Sequence, residues 1–162
     1  MVQTYDFLRE MRAGEEAEVE RLLQKAFGGN DEVRLVRLLR KGGAMAGEMV
    51  IAGPGGIAGY FALSEFGAPK GWLCLAPVAV HPDHQGQRIG RRMMGLLTEW
   101  ARLAGKTVVV LGEVPFYEKA GFSAARAAKL KTPYPVEHTM LAGPGSDVPE
   151  AELVYPAAFS VL

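Results

Sequence analysis

Seven consecutive residues, Gln85-Gly86-Gln87-Arg88-Ile89-Gly90-Arg91, combine glycines that let a backbone approach a ligand with positive charge to meet an anion. Upstream, Leu73, Leu75, Val78 and Val80 suit a largely buried strand. Downstream, Ile89, Met93, Leu96, Leu97, Trp100 and Leu103 recur at helical spacing. The seven residues are thus the turn from a strand into an amphipathic helix. At such a helix start the first N–H groups lack intrahelical partners and the helix dipole favours negative charge, which is the chemistry of phosphate binding. Arg88, Arg91 and Arg92 concentrate positive charge there. Taken alone, a glycine-rich turn is more often turn chemistry than a phosphate cradle. This one lacks the Gly-Lys-Ser/Thr ending of a P-loop and the Gly-x-Gly-x-x-Gly spacing of a dinucleotide site, which argues against a nucleotide-binding protein.

The remaining reactive side chains are few. His81 and His84 share metal-ligand spacing with no cysteine or carboxylate cluster, so no metal is expected. Cys74 sits in an apolar strand and reads as core. Tyr117 taken alone reads as a half-buried packing residue. Met93 and Met94 read as one core and one rim position, and Trp72 and Trp100 as packing anchors, with Trp72 able to line a pocket.

These residues need a frame. Thr4 to Met11 suits an edge strand. A helix opened by Gly14-Glu15-Glu16 buries Ala17, Val19, Leu22, Leu23, Ala26 and Phe27 and stops at Gly28-Gly29. A second helix, capped by Asn30 or Asp31, presents Val33, Leu35, Val36, Leu38 and Leu39 and stops at Gly42-Gly43. Met45 to Phe66 turns extended and is split by Gly53-Pro54-Gly55-Gly56, a hairpin. Pro77 removes a ladder donor from the next strand and marks a bulge. After the helix from near Arg88, Thr107-Val108-Val109-Val110 is a β-branched strand ended by Gly112. Phe116 to Ala120 fits a helical turn or two stopped by Gly121, and His138 to Ala142 a further strand.

Composition agrees with one domain over 1–162, with a core of about 4–142 and an extension, 143–162, docked on it. Among 162 residues 49% are hydrophobic, enough for one real core. Eighteen basic residues balance eighteen acidic ones, so no overall field gathers nucleic acid or an anionic membrane. A single cysteine and no signal-like start suggest a reducing, cytoplasmic setting. No apolar run approaches the roughly 20 residues that span a bilayer.

The order strand, two helices, hairpin, strand, Gln85-Gly86-Gln87-Arg88-Ile89-Gly90 loop, helix, strand, Tyr117-Glu118-Lys119-Ala120-Gly121-Phe122 resembles the GNAT superfamily of N-acetyltransferases over roughly Thr4 to Ala142. The style of Leu75 to Gln87 and of Val110 to Tyr117 is most similar to small bacterial predicted N-acetyltransferases. The resemblance implies an α/β (α+β) fold: a mixed central sheet of about six to seven strands flanked by helices and splayed between strands four and five. It implies acetyl-CoA as cosubstrate and no metal. The family loop, Gln or Arg, two residues, Gly, one residue, Gly or Ala, holds the pyrophosphate; Gln85 and Gly90 match it, with Gly86, Gln87, Arg88, Ile89 and Arg91 alongside. Arg88 departs from the pattern by standing where the family has glycine.

By the same resemblance, backbone groups of Val78 to Val80 pair with the pantetheine arm, and the Val80 N–H also polarises the thioester carbonyl. Tyr117 matches the tyrosine that protonates the departing thiolate. A phenol near pKa ~10 serves a thiol near ~8.5 only if its surroundings help. Glu113, just past the fifth strand, is the candidate base for the attacking amine, with His81, Glu65 and a water chain as competitors. The function implied is transfer of an acetyl group to a primary amine of a small molecule or peptide, by direct attack through a tetrahedral intermediate. The alternative, which Arg88 and the lack of an obvious base leave open, is a non-catalytic acyl-CoA-binding module. Acceptor contacts are expected from Gly28 to Gly43 and from Lys129 to His138, and the assembly is a monomer or, through Leu153 to Leu162, a homodimer.

Overall fold

The computed structural model describes residues 5–161. Six strands form one mixed sheet in sequence order: β1 (Arg9–Glu10), β2 (Met45–Gly53), β3 (Gly56–Glu65), β4 (Leu73–Val80), β5 (Val108–Leu111) and β6 (Thr139–Ala142). All neighbours are antiparallel except β4 and β5, which run parallel and are joined through helix α3 (Ile89–Ala104). Such a crossover needs an intervening element of a dozen or more residues, and α3 supplies it. The six-stranded mixed sheet agrees with the expected architecture.

Alternation along the strands splits the core in two. Phe61 and Leu63 of β3, Val108 and Val110 of β5, and Met140 of β6 pack with Ile89, Met93, Met94 and Leu97 of α3. On the other face Val50, Tyr60 and Ala62 pack with α1 (Glu16–Phe27) and α2 (Asp31–Lys41). Cys74, Val109 and Leu141 pack there with Leu130 and Leu153, so the segment leading into β6 and the residues beyond it cover that half of the sheet together. No helix among the described residues is long and apolar enough to cross a membrane.

Several expectations change in detail. The first strand is two residues long, and Thr4 lies outside the described residues. Ala17 and Phe27 of α1 are exposed, beyond the reach of the narrow stripe of Val19, Leu22 and Leu23 that meets the sheet. Met93 and Met94 are both fully buried. Met94 lies one turn before Thr98, whose hydroxyl donates to the Ala120 carbonyl at 2.6 Å, so the chain after β5 covers that flank of α3. Conversely Leu96, Trp100 and Leu103 are exposed, and Trp100 is not a core anchor. With Leu8, Met49 and Leu73, Leu96 and Trp100 line a pocket of about 330 Å³ between the second half of α3 and the β1–β2 edge.

Candidate active site

The site begins where β4 and β5 part. They pair at Leu73, Cys74 and Leu75 with Val108, Val109 and Val110 and no further, while β4 continues to Val80. The cause is local. Between Leu75↔Leu63 and Val78↔Phe61, β4 holds two residues, Ala76 and Pro77, against the single Ala62 of β3, the bulge that a proline in this strand predicts. Beyond it the β3–β4 register is regular. In an antiparallel ladder alternate residues exchange hydrogen bonds with the neighbour, and the His81 N–H donating to the Ala58 carbonyl at 2.8 Å sets the phase. Ala79 therefore faces Tyr60, and the N–H and C=O groups of Val78 and Val80 turn the other way, into the gap that β5 leaves.

At the end of β4 the chain passes through a 3-10 turn, Pro82–His84, held by the Asp83 N–H donating to His81 Nδ1 at 3.1 Å. The Tyr5 hydroxyl lies 3.0 Å from His84 Nδ1, tying the turn to the start of the chain. Gln85, Gly86, Gln87 and Arg88 are exposed, and the turn closes with Gly86 at φ 85° and Arg88 at φ 61°. Arg88 is the only non-glycine among the described residues with positive φ, a conformation that glycine adopts without strain. It is also the N-cap of α3 and makes no side-chain cap. The N–H groups of Ile89, Gly90 and Arg91 therefore lack intrahelical partners, whereas Arg92 already donates to the Arg88 carbonyl at 3.0 Å. No acidic residue stands in that first turn, and Arg91 and Arg92 are exposed on it. Ile89 is buried and anchors the turn to the core.

The far wall of the gap comes from α4 (Val114–Lys119). Val114 and Tyr117 pack on the same core as Val78 and Val80. Phe116 closes the ring of contacts: a Cβ on Gly90 would lie 3.4 Å from Phe116 Cζ and 3.4 Å from Val80 Cγ2, so loop, β4 and α4 meet there. The Tyr117 ring stands edge to face between Phe116 and Phe122, with centroids 4.9 Å and 5.6 Å away. Burial pushes its phenol above the usual pKa, so near neutral pH it holds its proton. Glu113 is exposed at the N-cap of α4, its carbonyl accepting the Tyr117 N–H at 3.2 Å, and its carboxylate has no partner among the described residues. Glu65 pairs with Leu73, at the opposite end of β4 from the loop, whereas His81 adjoins Val80. No group of three His, Cys, Asp or Glu side chains among the described residues is placed to hold a metal ion.

Two contributors carry no signal of their role in the sequence, where Phe116 reads only as part of a short helix and Gly112 only as a strand stop. Their contacts with Gly90 and Tyr117 depend on how tightly the chain turns from β5 into α4.

The chain as a whole is similar to known proteins. Residues 46–124 match the family model described as an acetyltransferase (GNAT) domain. Over 125 residues the chain is 31% identical to the uncharacterised N-acetyltransferase YhbS of Escherichia coli strain K12, an alignment covering 72% of this chain and 73% of that one. A GNAT family acetyltransferase from Brucella melitensis, solved in complex with acetyl-CoA, superposes with a TM-score of 0.79 at 28% identity, over 96% of this chain and 98% of that one. Escherichia coli YhbS solved in complex with CoA superposes with a TM-score of 0.79 at 22% identity, over 95% and 91%, and attests the fold. The chain belongs to the GNAT superfamily of N-acetyltransferases.

Proposed function

We propose that the protein transfers an acetyl group from acetyl-CoA to a primary amine of a small molecule or peptide by direct attack of the amine on the thioester. The observation that carries this reading is the gap itself, with the Val78 and Val80 backbone groups turned into it and Tyr117 on its far side. When bound, acetyl-CoA supplies the activated acyl group. The amide-like pantetheine arm extends β4 across the gap, pairing with Val78 and Val80 as an added strand would. The pyrophosphate sits on the free N–H groups of Ile89 to Arg91 and on the loop from Gln85 to Arg88, beside Arg91.

The Val80 N–H donates to the developing oxyanion. Tyr117 returns a proton to the leaving thiolate. Its raised pKa keeps the phenol charged with its proton but makes it a weaker acid, so this transfer depends on placement against the sulfur. Glu113, one helical turn from Tyr117 and free of partners, takes, directly or through water, the proton that the acceptor ammonium must lose for its neutral amine to attack.

Thiol release from acetyl-CoA, followed with a broad panel of primary amines, tests the reading. At least one amine should be turned over, and Tyr117→Phe should lower kcat by about 100-fold. Calorimetry should show CoA binding at micromolar levels. CoA binding without thiol release from any amine, and no effect of Tyr117→Phe, would instead establish a non-catalytic acyl-CoA-binding module.

A further inference from the structure

We propose that Gly112 is a positioning residue for the transfer, kept free of a side chain so that the Tyr117 ring occupies the space a Cβ would take. The inference rests on the reading of Tyr117 as proton donor and adds a residue to it. A Cβ built on Gly112 would lie 2.5 Å from Tyr117 Cε2, 3.2 Å from Cδ2 and 3.5 Å from Cζ. The first of these is a separation that real Cβ atoms do not show, so ring or backbone must move.

The backbone is the stiffer partner. Gly112 N–H donates to the His138 carbonyl at 3.0 Å, continuing the β5–β6 ladder in which Leu111 pairs with Thr139. Tyr117 is held at the main chain too, its carbonyl accepting from Ala120 and Phe122 N–H groups at 3.1 Å each. What remains free to move is the ring, through its side-chain torsions, and the Phe116 and Phe122 edges limit where it can go. Gly112 does not have a positive φ, so backbone conformation does not require glycine there. The space taken by the ring does.

A displaced ring carries its hydroxyl with it. Proton transfer to a thiolate tolerates little displacement, since about 1 Å at a catalytic group costs up to about 100-fold. Substrate binding need not suffer, because Val78, Val80 and the loop lie on the β4 side of the gap.

The test uses the full chain carrying Gly112→Ala, Tyr117→Phe, both together, and Gly95→Ala as a control, since a Cβ on Gly95 meets nothing within 4 Å. Thiol release from acetyl-CoA is measured with the amine panel, and by slow hydrolysis to water where no amine is turned over. Gly112→Ala should lower kcat about 10- to 100-fold, leave KM for acetyl-CoA within about twofold, and add less than about twofold to Tyr117→Phe. Its crystal structure should show the Tyr117 ring displaced, and Gly95→Ala should match the wild type. A Gly112→Ala enzyme as fast as wild type, beside a slow Tyr117→Phe, overturns this inference and leaves Tyr117 as the donor. A Tyr117→Phe enzyme as fast as wild type overturns both. Gly112→Ala protein that fails to fold, or that slows Tyr117→Phe by its own full factor, overturns the positioning role in favour of a structural one.

Discussion

Leu75 and Val110 are the last residues at which β4 and β5 pair, and one residue later the Ala76-Pro77 bulge turns β4 away. The parallel pair is thereby converted from closed sheet into a fork, while the β3–β4 ladder resumes beyond the bulge. A fork of this kind offers strand-edge donors and acceptors in the interior of a domain, where an extended ligand can be paired on a preformed template.

The phase of that ladder gives a sharp contrast between adjacent residues. Val80→Pro removes an N–H that faces the gap, whereas Ala79→Pro removes one that faces Tyr60 within the sheet. Val80→Pro should therefore fold, lower kcat about 100-fold through loss of the oxyanion donor, and raise KM for acetyl-CoA about tenfold where the same N–H also pairs with the arm. Ala79→Pro should lose stability first. Melting curves and acetyl-CoA titrations of the two variants check this, and equal behaviour would mean the phase is misassigned.

Arg88 holds a left-handed conformation at φ 61° that costs a non-glycine residue roughly 1 kcal/mol or more. Arg88→Gly should relieve that strain and raise Tm by about 2–4 °C. If the exposed guanidinium meets the adenosine 3′-phosphate, the same change should weaken CoA binding about tenfold and dephospho-CoA binding hardly at all. Calorimetry with both ligands reads the difference; equal losses would assign Arg88 to the turn alone.

How much of this was legible depended on whether a residue's neighbours in sequence decide its environment. Pro77 in an apolar run already implied the bulge, and Thr107 to Val110 the short strand beside it, because a missing donor and β-branched crowding act locally. The stripe through Leu96, Trp100 and Leu103 misled because helical periodicity marks a face without saying how far the sheet beneath it extends. Here the edge strand is two residues long, and that part of the face opens on a pocket. Met94 and Gly112 were opaque for the opposite reason. Both are set by the α4 segment, folded back on α3 and β5 by contacts such as Thr98 to Ala120.

Beneath α2, Glu48 accepts hydrogen bonds from the Tyr60 hydroxyl at 2.7 Å and from Arg40 at 2.6 Å. The arrangement ties α2 to β2 and β3. Glu48→Ala leaves the Arg40 charge and the Tyr60 hydroxyl without a shared acceptor, so it should destabilise by about 2–3 kcal/mol. Tyr60→Phe keeps the ion pair and should cost about 1 kcal/mol. Denaturant unfolding of both variants measures this order, and a reversal would show that the hydroxyl matters more than the pair.

The entry to α1 carries a contribution to stability that acid removes. Two hydrogen bonds from Arg9, at 2.9 and 2.8 Å, and one from the Arg12 N–H at 2.7 Å hold the Glu15 carboxyl at a pKa of about 2. An unfolded chain would titrate it near ~4.3. A carboxylate whose pKa is lowered by folding adds stability that is complete above the unfolded value and is lost as pH falls toward the folded one. The relevant window is therefore between roughly pH 5 and pH 2. Because the pair is partly open to solvent, the contribution is on the order of 1 kcal/mol. Glu15→Gln should thus unfold at lower denaturant concentration than wild type at pH 7, and the two should converge as pH approaches 2. Denaturant midpoints across that range test it: a Glu15→Gln deficit that stays constant down to pH 2 would place the effect in the neutral hydrogen bonds and not in the charge.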